Sequence, residues 1–292
     1  MNDKTPSVII KPARLRRATM RRKTIKNPVE LYGITLHSGV QAKITFNPCD
    51  QGKGIVFVRA DLPGSPGIKA RVGNVSDTTR GTSLKEGGAE IQVVEHVLAA
   101  VYALNITDLT IGVSGIEPPA LDGSSLPYFK ALKTAGTVEL QKESSPITLS
   151  KEIVVEDSDS VLIASPSDRF SISFVVDFPG TVIGRQKFSL EVSEDSFERE
   201  IAPARTFGFL EEVEQLKKMG LALGASIENA LVISKSRYIN RPRFKDEAIR
   251  HKILDLIGDL GLLGRPIKAN IIGERGGHKL NVALAKALLN DV

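Results

Sequence analysis

Three residues spaced four apart, His251, Asp255 and Asp259, carry the strongest chemical signal in the sequence. They fall in Asp246–Leu263, a segment whose apolar pattern predicts one long helix. One turn separates each from the next, so all three project from one face. A histidine and an aspartate one turn apart can bind the same metal ion, and three protein ligands plus a water make an open catalytic zinc site. The pair supplies two ligands, so a third would come from elsewhere in the chain. The plain alternative is a surface contact between His251 and Asp255 at i, i+4. Against it, Ile253, Leu254, Leu256, Ile257 and Leu260 flank the face, so the helix reads as buried, and acids on a buried helix need partners. Glu95-His96 is the second signal. Adjacent helical residues point about 100° apart. That can set the histidine on a metal and the glutamate beside a water whose proton it takes; a surface pair on an amphipathic helix is the alternative. His278 follows two glycines in a turn between a predicted strand and a predicted helix. The backbone there can approach a ligand closely, and the histidine can act as general acid toward a leaving amine. A structural or helix-capping histidine fits that place equally. His37, in Leu36-His-Ser-Gly39, reads as a plain turn residue or as a phosphate contact.

The elements that must position these residues alternate between strand and helix. Gln41–Phe46, Gly54–Val58 and Leu109–Val113 read as strands. Ile91–Asn105 reads as a helix, with Val93, Val94, Val97, Val101 and Leu104 on one stripe. Ser124–Ala135 reads as another, which Asp122 or Ser124 could cap. Residues 134–137 and 142–146 are polar and turn-rich and mark a boundary near 138–148. Beyond it Ile153–Val155, Val161–Ala164, Ser171–Asp177 and Ile267–Ile272 read as strands, and Phe209–Met219 and Leu280–Leu289 as helices. The expected class is α+β in two domains, 23–140 and 141–292. No sequence repeat is evident, so any duplication would be structural only.

Charge separates the ends of the chain from its body. The net charge is +5 and the pI 9.2. Residues 1–26 carry nine Lys or Arg and one acid, Asp3, which makes that segment +8 and leaves the rest at −3. A nucleic-acid domain would spread basic charge over a folded face, so no nucleic-acid partner is expected. Residues 1–22 read as a basic, disordered arm with at most peripheral contact with a membrane surface. The arm lacks the apolar core and cleavage site of a secretory signal, and no apolar run approaches the roughly 20 residues that span a bilayer. The single cysteine, Cys49, cannot form an internal disulfide, which fits a reducing, cytoplasmic setting.

Several segments in order resemble the UDP-3-O-acyl-N-acetylglucosamine deacetylases, enzymes of lipid A synthesis. The match runs from about Arg22 to the C-terminus. It comprises Gly33-Ile-Thr-Leu-His-Ser-Gly39, Val94-Glu-His96 with the following Val-Leu-Ala-Ala, and Glu117-Pro-Pro-Ala-Leu-Asp-Gly-Ser124. It continues with Ala204-Arg-Thr-Phe207, Asp246-Glu-Ala-Ile-Arg-His-Lys252, Leu254-Asp-Leu-Ile-Gly-Asp-Leu260 and Gly276-Gly-His-Lys-Leu-Asn281. The resemblance implies two similar domains, each a β-sheet packed with helices, with the active site between them. It implies a Zn2+ ion, with Fe2+ as a substitute, held by His96, His251 and Asp255. It implies Glu95 as general base, His278 as general acid positioned by Asp259, and Thr206 as oxyanion donor. Lys252 and Phe207 would meet the substrate, and His37 and Arg275 its nucleotide diphosphate. It implies an insert in each domain, the second forming an apolar passage for the acyl chain, with Leu210, Met219, Leu221, Leu223 and Leu231 as candidates; ordinary core is the alternative for each. The reaction implied is hydrolysis of the acetamide of a UDP-linked acylated amino sugar. Thr35 stands where the family has glycine, and Ser125 where alanine is common, a small change. No second, dehydratase-like domain is expected.

Two other readings compete. One is a metal-dependent amidase acting on a different acylated amino sugar. The other is a non-enzymatic binding protein working through its basic tail, which predicts no metal and no loss when Glu95 is changed.

Overall fold

The computed structural model describes residues 19–290. The basic arm lies outside them as far as Ala18, so its expected disorder falls outside the described residues. Residues 20–22, counted with that arm, belong instead to a strand, Met20–Ile25, which pairs with Thr137–Ser144. Arg22 is held there by two bonds to the buried Asp108 carboxylate, at 2.7 and 2.9 Å. The segment read as a turn-rich boundary is therefore largely the second strand of this ribbon. Its side chains are mostly exposed on both faces, so it carries no alternating apolar signal.

The first half contains β1 (Val29–Ile34), β2 (Gln41–Asn47), β3 (Ile55–Arg59), β4 (Gly67–Lys69), α1 (Glu95–Ala103), β5 (Leu109–Val113) and α2 (Leu126–Ala135). The second contains β6 (Ile153–Asp157), β7 (Ser160–Pro166), β8 (Phe170–Phe178), β9 (Gly184–Glu191), α3 (Glu247–Leu260), β10 (Ile267–Glu274) and α4 (His278–Asn290). The first sheet runs β1-β2-β5-β3-β4, antiparallel except where β3 lies beside β5. The second runs β6-β7-β10-β8-β9, antiparallel except where β8 lies beside β10, and a short sixth strand, Ile147–Thr148, pairs parallel with the start of β10. Apart from that sixth strand the two sheets and their helices share one topology, without a repeat in sequence. The fold is α+β, as expected, with two similar halves.

Each half also carries an insert at the same topological place, between its fourth strand and its first helix. In the first it includes a small sheet of Val75–Asp77, Ser83–Glu86 and Ala89–Ile91. In the second it includes the parallel pair Phe207–Phe209 and Leu231–Ile233 around the short helix Val213–Lys218. The helix expected over 209–219 begins later because Phe209 is strand and Leu210–Glu212 is a 3₁₀ turn.

Alternation gives each sheet one buried face. On β2, Ala42, Ile44 and Phe46 are buried while their neighbours are not, and β8 and β10 follow the same pattern. The helices are a different case. On α1 every residue but Tyr102 is buried, and on α3 every residue but Arg250 and Lys252. A helix buried nearly all round must pack on more than its own sheet. These two pack on each other, and that contact joins the halves.

Gly258 makes the close approach possible. A Cβ built there would stand 2.1 Å from the Glu95 carbonyl oxygen. Alanine is the better helix former by about 1 kcal/mol, so a loose contact would reward the change. We expect the opposite: Gly258→Ala lowers stability by about 2–3 kcal/mol as α1 is forced off α3. Urea denaturation with an unchanged or raised midpoint would show that the contact is slack. Among the described residues no helix is long and apolar enough to cross a membrane.

Candidate active site

The helix expected from Ile91 starts only at Glu95, because Ala89–Ile91 is strand and Val93 adopts φ +55°. A β-branched residue in that region is strained by about 1–2 kcal/mol. The turn it makes puts Glu95 and His96 in the first turn of α1, facing α3. Both are buried, at 2% and 7% exposure, which removes the surface-pair reading. The surface reading of His251 and Asp255 fails in the same way, at 3% and 2%.

His96, His251 and Asp255 converge. One ligand atom from each lies within 4.8 Å of the others. His251 Nε2 is 3.3 Å and His96 Nε2 3.8 Å from the same oxygen, Asp255 Oδ1. His251 Nδ1 lies 3.1 Å from the Ala204 carbonyl, which only accepts, so Nδ1 carries the proton and Nε2 offers a lone pair. Burial, then the nearby His251, pushes His96 down to about 3; burial also pushes His251 down. Burial would raise Asp255, but His251, Lys252 and the other histidines hold it well below the usual carboxylate range. Two imidazoles that burial keeps neutral thus turn their Nε2 atoms toward one carboxylate oxygen. That donor set fits a divalent cation, with the two-His, one-carboxylate composition of catalytic zinc sites. The other oxygen, Oδ2, accepts from Lys252 Nζ at 3.0 Å.

Around this point stand the expected acid and base groups. Burial, only partly offset by His278, raises Glu95 to about 7. Its Oε2 accepts the Thr82 amide at 2.9 Å. His278 Nδ1 lies 2.9 Å from Asp259 Oδ2, and its Nε2 faces Asp255 Oδ2 at 3.8 Å. Burial opposes charge on His278, but Asp259 and Asp255 together outweigh it and raise the imidazolium to about 9. Asp259, fully buried, also accepts from Thr82 Oγ1 at 2.5 Å and Asn281 Nδ2 at 2.9 Å.

Thr206, Phe207 and Lys252 line the same cavity, of about 470 Å³. Thr206 is fixed through its backbone, donating to Gly123 O and accepting from Leu231 N, both at 2.8 Å. The preceding Arg205 forms a buried ion pair at 2.9 Å with Glu247, the first residue of α3, which ties this strand to the helix of His251. Phe207 sits 6.2 Å from the His251 ring, with Lys252 Nζ 5.8 Å above it.

His37 and Arg275 are not brought to the cavity wall. His37 Nδ1 accepts from Ala222 N at 3.3 Å, and Arg275 spends its guanidinium on Asp159 and Asp177, both at 2.6 Å. Of the apolar candidates, Leu231 is core at 0% exposure, whereas Leu210, Met219 and Leu223 are 47%, 63% and 50% exposed. Thr35 is buried and its hydroxyl closes the turn, accepting from Val40 N at 3.0 Å. Ser125 is not an inert change. Its hydroxyl donates to the His96 carbonyl at 2.7 Å and makes no cap bond to α2, whose Leu126 amide is met by Ser124 Oγ.

Sequence reasoning missed Thr82 and Asn281. Asn281 stands three residues after His278 on α4, a spacing that could have flagged it. Thr82 has no such signal.

The sequence profile of the UDP-3-O-acyl N-acetylglycosamine deacetylases matches residues 22–290. Relatives bearing the name UDP-3-O-acyl-N-acetylglucosamine deacetylase include one from Leptospira biflexa, 38% identical over 93% of this chain and 90% of its own length. Others come from Synechocystis sp., 42% identical over 91% and 97%, and Helicobacter hepaticus, 42% identical over 93% and 91%. With nearly the whole of both chains aligned at such identity, and the converging histidines and carboxylates inside the matched span, the chain belongs to the UDP-3-O-acyl N-acetylglycosamine deacetylase family.

Proposed function

We propose that the chain hydrolyses the acetamide of UDP-3-O-acyl-N-acetylglucosamine, giving the free amine and acetate, in lipid A synthesis, and that it does so in the cytoplasm with one divalent cation held by His96, His251 and Asp255. Zn2+ suits two imidazoles and a carboxylate, and Fe2+ accepts the same ligands. The observation that carries the reading is the convergence of those three ligand atoms, with Glu95 and His278 beside them, each within 4.8 Å of Asp255 and of the other.

When bound, the cation would polarise the amide carbonyl and lower the pKa of a water beside it. The chain's own groups supply the rest. Glu95 accepts the proton of the attacking water; a carboxylate tuned near 7 is matched to that task. Thr206 donates its hydroxyl to the oxygen that gains charge, its backbone pinned so that the donor needs no rearrangement. His278 gives its Nε2 proton to the departing nitrogen, with Nδ1 tied to Asp259. Lys252 and Phe207 contact the sugar and its acyl substituent. The exposed Leu210, Met219 and Leu223, in the same insert as the lining residues Phe209 and Glu212, support an apolar path for the acyl chain. His37 and Arg275 lie just outside the cavity wall, and with the Arg275 guanidinium held by Asp159 and Asp177 any contact with the diphosphate would need that ion pair to open. His37 follows the lining residue Leu36, and the Arg275 carbonyl accepts from the lining residue Ser160 at 2.9 Å.

The test is direct. Purified protein is expected to hold about one divalent ion per chain and to release acetate from the UDP-acyl-amino sugar. His251→Ala is expected to hold less than about a tenth of that metal, since two ligands cannot fix the ion. A full equivalent in the variant would remove His251 from the ligand set, and a metal-loaded wild type that leaves this substrate intact would end the reading.

A further inference from the structure

Thr82 lies in the insert of the first half, at the turn entering the strand Ser83–Glu86, and is 0% exposed. All three of its polar groups are spent on the site. Its N–H donates to Glu95 Oε2 at 2.9 Å, and its carbonyl accepts from Val94 N at 3.2 Å, at the start of α1. Its hydroxyl donates to Asp259 Oδ1 at 2.5 Å, with His278 Nδ1 3.4 Å away. One residue thus joins the start of α1 in the first half, through its backbone, to α3 and α4 of the second, through its hydroxyl. Gly81 lets the strand lie this close: its φ is +157°, and a Cβ there would stand 3.2 Å from Glu95 Oε1. Thr82 is not part of the cavity wall.

We propose that Thr82 is a positioning residue of the reaction, the joint that locks the proton acceptor Glu95 and the proton donor His278 into one geometry. The inference rests on the deacetylase reading. Its physics is local. Asp259 Oδ2 takes the His278 and Asn281 donors, while Oδ1 takes the Thr82 hydroxyl. Without that hydroxyl a buried carboxylate oxygen loses its donor, the carboxylate is free to turn, and the imidazole it holds turns with it. The Glu95 contact uses the backbone amide, so a side-chain change at 82 isolates the acid arm.

Thr82→Val, which keeps the shape and removes the hydroxyl, is expected to lower kcat by about 10–100-fold. KM should stay within about threefold, because Thr82 does not touch substrate. Thr82→Ser, which restores the donor, should recover kcat to within about threefold of wild type. In a His278→Ala background Thr82→Val should cost less than about threefold more, because the path it acts through is already gone. Independently of activity, the His278 Nδ1–H proton resonance should shift in Thr82→Val and stay in place in Thr82→Ser. Bound metal should be unchanged in both. Unchanged kcat in Thr82→Val, a serine variant as impaired as the valine one, or a full multiplicative loss on top of His278→Ala would each overturn the proposal. If the valine variant does not fold, Thr82→Ala against Thr82→Ser makes the same comparison. Wild-type enzyme that turns over while Thr82→Val matches it defeats this inference alone; wild type without turnover defeats the deacetylase reading instead.

Discussion

Glu95→Gln is expected to lower kcat by about 10²–10⁴-fold while leaving KM and bound metal close to wild type. The substitution is chosen because it separates two roles that the geometry superimposes. Glu95 Oε2 is the acceptor for the Thr82 amide, so Glu95 holds the loop at 81–82 in place as well as facing the cavity. Glutamine keeps the length, the planar end and a carbonyl oxygen for that amide, so the structural role survives. It cannot take a proton from water. Were Glu95 only a buried acceptor, its burial at 2% exposure would be served as well or better by the neutral amide, and turnover would hold or rise. Near-normal kcat in Glu95→Gln would thus refute its role as base, whereas a loss of metal or a collapse of the thermal transition would show that the charge had been needed for the framework.

How much of this could be read from the chain differs by element. The face of α3 was legible because helical spacing alone aligns His251, Asp255 and Asp259, and their apolar neighbours foretold burial. Its bounds were nearly so: the helix runs Glu247–Leu260 and ends in one 3₁₀ turn, Gly261–Leu263. The meeting of His96 with His251 was not legible from spacing, since it depends on how one half packs on the other. The resemblance supplied it, and the one local hint was Gly258, a helix breaker by about 1 kcal/mol kept in the middle of a buried helix. The two similar domains likewise came from the resemblance and not from any repeat in the sequence, for a related reason. A sheet order is set by which faces are apolar and by connection lengths, and quite different side chains satisfy both. The start of α1 was misplaced because valine seldom takes positive φ, so Val93 argued for helix where the chain turns. Thr82 escaped because its bonds run through backbone and across halves, and neither leaves a periodic trace.

His278→Ala is expected to lower kcat by about 10²–10³-fold with metal retained. The argument starts from the leaving group. An amine expelled as its anion is far too basic, so the nitrogen must gain a proton as the bond breaks. His278 is placed to carry one in the proposed reaction: burial opposes its charge, yet the Asp259 carboxylate bonded to Nδ1 and the nearby Asp255 outweigh burial and raise its pKa. With Nδ1 tied to Asp259, the proton on Nε2 is the one that can be given. A substrate analogue in which an ester oxygen replaces the amide nitrogen separates this role from mere electrostatic support. An alkoxide needs less help to leave, so the ester should lose much less than the amide on His278→Ala. Glu95→Gln, acting on the attacking water, should cost both substrates about equally. Equal losses for amide and ester in His278→Ala would place the histidine's effect before departure of the nitrogen, and the assignment of the proton donor would then fail even if the rest of the site stood.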